Sequence, residues 1–294
     1  MKKCCDNCAY DGGWDYIKEG SDEMERTCNF VPFRPDYDRN GDCEGWKCGK
    51  VLTPNDPIYI VDLETTGLDG YPADHVVEVG VARFDQISGK VTPVYNAIIR
   101  IPEIRKIHEE KINPDGSRGC WVFNHTSLTL DGVENSKTAQ CDVVHELRGL
   151  LDGQFVTSYN MPFDFGKFLD FPPWNLYNIA YPTKDIMDVA TSCLKKKAER
   201  DAIEDKNVQK MLLHDWEYRP DKWVRSEVAY KVLCSDDPAQ LHMKQTHRAL
   251  DDAVMEGYIL ARATRYLSWD RVFAMTIPIL TGSVNLIQRE ESRP

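Results

Sequence analysis

Ile58-Tyr59-Ile60-Val61-Asp62-Leu63-Glu64 is the stretch on which the fold turns. A short, nearly continuous apolar run ending in acids is what a central strand buried on both faces requires. Thr65-Thr66-Gly67 then breaks it. Residues i and i+2 of a strand share a face, so Asp62 and Glu64 project together. Two carboxylates at the end of a buried strand repel each other and lose hydration, which is costly unless cations compensate. Mg²⁺ or Mn²⁺ is the natural compensation, because both favour hard carboxylate oxygens. The plainer alternative is a solvated strand end that happens to be acidic.

Outward from this run, valine-rich Val76–Phe84 reads as a second strand, and residues 91–101 as a third beyond the Ser88-Gly89 turn. Their closeness predicts an antiparallel meander. Residues 138–151 predict a helix, with Val143, Val144, Leu147, Leu150 and Leu151 at helical spacing. A short strand is expected over 154–158, a helix from 163–169, a strand end and helix start over 185–194, and a long helix over 248–266. Strands first, then alternating strands and helices, imply an α/β domain with a mixed sheet flanked by helices. Residues 102–135 read as an irregular insertion. Residues 195–244, charged and Trp-containing, read as a second insertion that is mostly helical.

The chain has 294 residues, 42% of them hydrophobic and 28% charged, and a net charge of −11. Such an acidic balance argues against a general DNA-coating protein, whose affinity comes from many phosphate contacts. It leaves room for an enzyme that gathers phosphate at one metal-loaded cleft. No apolar stretch is long enough for a membrane span, and the N-terminus lacks the apolar core of a signal peptide. No membrane association and a cytoplasmic location are therefore expected. Six of the ten cysteines (Cys4, Cys5, Cys8, Cys28, Cys43, Cys48) fall in the first fifty residues, a clustering that in a reducing compartment points to metal ligation. Cys5-x-x-Cys8 is the first half of a thiolate site, and Cys28 and Cys43 complete four ligands for one structural Zn²⁺. Free thiols and an iron–sulfur cluster are the alternatives. The turn-rich segment Thr53-Pro54-Asn55-Asp56-Pro57 separates this Cys-rich module, residues 1–52, from a second domain, residues 53–294.

A third carboxylate, Asp164, stands in Ser158-Tyr159-Asn160-Met161-Pro162-Phe163-Asp164, between a predicted strand and helix. By itself it reads as a helix-cap or first-turn acid. A fourth group lies in His247-Arg248-Ala249-Leu250-Asp251-Asp252. Helical spacing alone pairs His247 with Asp251 rather than Asp252. Taken together, VDLETTGL, VVEVGVARFD, YNMPFDFGKFL and HRALDDA resemble, in order, the motifs of the DEDD exonucleases with a motif-three histidine. That family includes proofreading epsilon subunits, ribonuclease T and oligoribonuclease, and the resemblance covers roughly residues 58–266.

The resemblance implies a ribonuclease H-like fold and metal-dependent removal of nucleotides from 3′ ends. It matches Asp62 and Glu64 to the first motif, Asp164 to the second, and His247 and Asp252 to the third, with His247 on a loop before the helix. Two Mg²⁺ or Mn²⁺ ions would be held by Asp62, Glu64, Asp164 and Asp252, and His247 would act as general base. By the same resemblance Thr65 and Thr66 line the terminal-nucleotide pocket, Leu68 wedges against the last base, and Asn160 orients the second motif. For Leu68, ordinary turn packing is the alternative. Phe163 and its neighbours flank the motifs and offer base stacking. The expected partner is a nucleic-acid 3′ end, DNA in preference to RNA, and single-stranded in preference to duplex because an acidic chain offers few backbone contacts. An exoribonuclease, or a silent nucleic-acid-binding protein on the same fold, are the competing readings. A protein partner would use the N-terminal module or the apolar tail, residues 273–286.

Overall fold

A computed structural model describes residues 11–16, 24–28, 52–113, 116–176, 179–200, 224–235 and 246–273. These fall in two units, each taken by itself. In the first, β1 (Asp11–Tyr16) and β2 (Met24–Cys28) form an antiparallel hairpin in which Asp11 lies opposite Cys28. Of the cysteines expected to bind zinc, Cys5, Cys8 and Cys43 lie outside the described residues, as does the C-terminal tail beyond Phe273.

The second unit is built on β3 (Ile58–Thr65), β4 (Val76–Phe84), β5 (Val91–Ile98), β6 (Phe155–Thr157) and β7 (Tyr181–Pro182). Their order is β5-β4-β3-β6-β7. β4 runs antiparallel to both neighbours, while β3, β6 and β7 are mutually parallel. This is the mixed sheet of a ribonuclease H-like fold, with the meander and the central strand expected from the sequence. β7 was not legible there: two residues, one a proline, print no alternation, and an edge is where a sheet tolerates proline.

Helices cover both faces. After β5 come α1 (Ile104–Glu110), α2 (Trp121–His125), α3 (Leu130–Glu134) and α4 (Gln140–Leu151). After β6 come the single turn α5 (Met161–Phe163) and a π-helical turn, Asp164–Leu169. The remaining helices are α6 (Ile186–Arg200), α7 (Ser226–Leu233), α8 (Ala249–Ala263) and α9 (Trp269–Phe273). No helix among the described residues is long and apolar enough to cross a membrane.

The two faces of β3 sort its residues. Val61 and Leu63 pack with Val143, Leu147 and Leu151 of α4 and with Phe165 and Phe168. Ile58 and Ile60 pack on the other side with Ala253, Ile259 and Leu260 of α8 and with residues of α6 and α7. The period of two therefore carries Asp62 and Glu64 onto the α8 face, where the apolar layer ends.

The first insertion is more ordered than its sequence suggests. α1, α2 and α3 close over a small core of Val77, Ile101, Ile104, Cys120, Val122, Leu128 and Val133. With seven, five and five residues these helices span less than two turns, too short to print a helical period. Within the second insertion, α6 runs on to Arg200 and α7 is helical, while residues 201–223 and 236–245, most of the stretch expected to be helical, lie outside the described set.

Candidate active site

Asp62 and Glu64 stand on β3 opposite Gly80 and Glu78 of β4. Gly80 sets the height of α8 above them. A Cβ there would meet the Ala249 carbonyl carbon at 2.1 Å and the Leu250 nitrogen at 2.2 Å, so the helix start rests directly on the strand. Gly257, two turns on, similarly admits Val91, whose Cγ1 would lie 2.7 Å from an added Cβ. One turn into α8, Asp252 is 3% exposed, whereas Asp251 faces solvent and accepts a hydrogen bond from the Thr246 hydroxyl at 3.0 Å. His247 precedes the helix in a left-handed conformation (φ +51°), so helical spacing does not govern it. Ligand atoms of Glu64, His247 and Asp252 all lie within 4.8 Å of one another.

Asp164 comes from a different element, 4% exposed at the head of the π-helical turn. The turn that aims it contains Asn160 at φ +115°. Asp185 holds that turn, accepting from the backbone N–H groups of Asn160 (3.2 Å), Met161 (2.8 Å) and Met187 (2.8 Å).

The electrostatics follow from this crowding. Burial, then the charges of Glu256, Asp164, Glu64 and Asp252, push Asp62 well above the usual carboxylate range. Burial, then Asp252, Glu78 and Asp164, push Glu64 up to about 8. Burial pushes Asp164 up to about 7 against the opposing hydrogen bonds it accepts. Carboxylates packed this closely without counter-charge are what a divalent cation relieves. Burial lowers the His247 imidazole, His125 adds to the lowering, and Glu227 opposes it.

Sequence reasoning missed the residues that hold this arrangement. Glu78, fully buried, takes both Nε and Nη2 of Arg248, the latter at 2.7 Å, and accepts from the Ala249 N–H at 3.1 Å. Arg248 Nη1 also donates to the Ser127 hydroxyl at 3.2 Å, tying the helix start to the insertion. Both residues lie inside quoted motifs, but an acid in a valine-rich strand and an arginine beside a histidine carry no pairing signal of their own. Glu256, 3% exposed on α8, is a further buried acid. Its position four residues after Asp252 was the signal available for finding it. Trp121 of α2 stands perpendicular to His247, ring centroids 5.0 Å apart, and stacks on His125 at 4.3 Å.

The expected substrate contacts divide. Leu68 is 65% exposed at the tip of the loop after β3. Thr65 is half-buried and donates to the Gly67 carbonyl at 2.8 Å. Thr66 is fully buried; its hydroxyl donates to Asp74 at 3.0 Å and accepts from the His75 N–H, and its own N–H donates to the His75 carbonyl. Its side chain thus supports the loop from beneath. Asp74 also binds Lys111 of the insertion at 2.7 Å, which clamps the loop from outside. Phe163 is half-buried, edge-on to Phe168 at 5.4 Å, with the Lys167 ammonium 5.8 Å from its ring centre.

No family model matches this chain. It is 21% identical over 200 residues to the 3′-5′ exonuclease DinG of Bacillus subtilis, a match covering 68% of this chain and 17% of that protein. Among solved structures it is similar to Escherichia coli exonuclease I in complex with a dA16 oligonucleotide, with 13% identity, a TM-score of 0.49, and 74% of this chain and 42% of that one covered. It is also similar to a 3′-exonuclease described as recognising the histone mRNA stem-loop, with 15% identity, a TM-score of 0.43, and 71% and 63% covered. The chain thus spans less than half the length of DinG and of exonuclease I.

Proposed function

We propose that this chain is a metal-dependent 3′-5′ exonuclease that hydrolyses the terminal phosphodiester bond of nucleic acid, by preference in single-stranded DNA. The observation that carries the reading is the convergence of Asp62 and Glu64 with Asp164 and Asp252, from three widely separated stretches of the chain, at one place beside His247. The donor set fits divalent Mg²⁺ or Mn²⁺: hard carboxylate oxygens, mutually repelling, held by rigid elements. Asp62 feels the charges of Asp164, Glu64 and Asp252, which suits it to contact both ions. When bound, two such ions would lower the pKa of an attacking water and stabilise the departing 3′ oxygen. His247, its pKa lowered by burial, is neutral at pH 7 and can take that water's proton on a ring nitrogen.

Single strands are favoured by what the rim offers. Leu68 and Trp121 are exposed apolar groups suited to bases, while Lys111 is already engaged by Asp74 and Asp69. A weak grip on the backbone gives a shallow salt dependence. The test is digestion of DNA and RNA oligonucleotides of one sequence, with DNA also offered as a blunt duplex, in Mg²⁺ or Mn²⁺ and with EDTA. Single-stranded DNA shortened from its 3′ end, and nothing in EDTA, is the expected result. RNA degraded faster would convert the reading to an exoribonuclease, and no digestion of any substrate would remove it.

In the N-terminal unit we infer a structural Zn²⁺ on Cys5, Cys8, Cys28 and Cys43. The hairpin register puts Asp11 opposite Cys28, and Cys8 precedes Asp11 by three residues in the sequence, which supports the reading. Metal analysis of the purified chain finding neither zinc nor iron would remove this inference.

A further inference from the structure

Glu256 is not among the residues that the sequence motifs supply, yet it lies within their cluster. α8 places it one turn beyond Asp252 on the same inward face, and both are 3% exposed. Two like charges at i and i+4 destabilise even a solvated helix, and burial sharpens the cost. The Tyr159 N–H approaches the Glu256 carboxylate, but its Oε2 has no hydrogen-bond partner, and among the described residues no cation pairs with it. The acids that raise its pKa after burial itself are Asp164 first, then Asp252 and Asp185, and it is the strongest charged neighbour of Asp62. An unmatched buried carboxylate oxygen therefore stands one turn from Asp252 on the buried face of α8.

We propose that Glu256 is a fifth carboxylate of the metal centre, a ligand of the cation held on the Asp164 side. The inference rests on the metal-dependent reading above and deepens it. Four carboxylates balance two divalent ions; a fifth makes the set net negative and tightens the site that Asp164 would otherwise hold weakly. The additional ligand would also tie α8 to the metal centre at two points, Asp252 and Glu256.

Mn²⁺ titration of the full chain without nucleic acid, followed by the electron paramagnetic resonance of free ion, tests this in wild type, Glu256→Gln, Glu256→Asp and Asp252→Asn. Glu256→Gln keeps the shape and removes the charge. It should weaken one Mn²⁺ site roughly 10- to 100-fold, the usual scale for losing a group that supports a metal, and leave the other nearly unchanged. Its metal-free form should melt higher than wild type, because a buried repulsion is gone. Glu256→Asp keeps the charge but withdraws it by a methylene, so it too should bind more weakly, and it carries the test should Glu256→Gln not fold. Wild-type affinity in both Glu256 variants, with binding lost in Asp252→Asn, would overturn the assignment of Glu256 alone. Wild-type protein that binds no Mn²⁺ would overturn the metal reading and this inference with it.

Discussion

The floor of the site and its rim are built by opposite means. The floor, Asp62, Glu64, Asp164 and Asp252, stands on a central strand, a π-helical turn and a long helix, all backed by the two main core layers. Its spacing is fixed by backbone lying on backbone at Gly80 and by the buried Glu78–Arg248 pair. The rim consists of the loop after β3 and three short helices over a small core of their own, held together by polar contacts such as Lys111 with Asp74. It exposes Leu68, Ile112 and Trp121. The difference teaches where variation is cheap: the groups proposed to do chemistry are locked by the core, whereas those proposed to meet substrate sit on elements that can change without disturbing it. Arg248 is where the two meet, with Glu78 below and Ser127 beside it.

The sharpest break is made in the floor. Asp62→Ala removes the carboxylate central to the cluster and should abolish hydrolysis of a 5′-labelled single strand while the protein still folds. Asp252→Ala should be nearly as severe, and Asp251→Ala nearly silent, because the first side chain is buried in the cluster and the second faces water. Equal rates in those two would show that α8 presents a different face. His247→Ala should cost roughly 10²- to 10⁴-fold, the usual contribution of a general base. Because burial lowers the His247 pKa, its base form persists below the ordinary imidazole value of 6.5. The acid limb of the wild-type rate should therefore have its midpoint below 6.5, and the residual rate of the variant should lack that limb. A variant whose pH profile parallels wild type would take the proton transfer away from His247.

The strand and motifs that carry the floor were legible in the sequence; of the rim, the loop with Leu68 was singled out and the short helices were not, for a physical reason. An apolar run ending in Asp62 and Glu64 has a period, and four separated motifs in order have a pattern. Five-residue helices such as α2 have neither, so Trp121 emerges only when the chain is folded. Asp252 could not be chosen over Asp251 by spacing alone; the helix starts at Ala249, after His247, and that start depends on Glu78, 171 positions from Ala249 in the chain. Long-range pairings of this kind leave no local trace. Glu256 was hidden differently, since an acid in a helix ordinarily reads as a solvated one.

The locking contact comes next in size. Arg248→Ala leaves Glu78 buried and without its cation, and breaking such a pair costs about 3 kcal/mol or more. Urea unfolding should show that loss, and activity should fall further than stability alone explains because His247 and Asp252 flank the pair. Glu78→Gln combined with Arg248→Met should recover part of the stability without the activity. A stability change within 0.5 kcal/mol for Arg248→Ala, the ordinary range for surface substitutions, would mean that the pair is ornamental and Gly80 alone seats the helix.

The smallest expected effect belongs to the rim. Trp121 is 44% exposed; His125 covers one face of its indole at 4.3 Å, and the ring stands perpendicular to His247. A base seated on the indole would rest beside the group that moves the proton. Base–aromatic stacking contributes about 1–3 kcal/mol per base, so Trp121→Ala should raise KM for single-stranded DNA by about 5- to 150-fold. Trp121→Phe, keeping a π face, should recover most of it. The split between constants decides what the ring does. A rise in KM with kcat held identifies a substrate platform, whereas a fall in kcat with a displaced acid limb identifies a prop for His247, moving Trp121 from the rim to the floor. If neither constant changes, the aromatic is ordinary surface packing, and the rim's choice of single strands has to rest on Leu68 and the loop that Lys111 clamps.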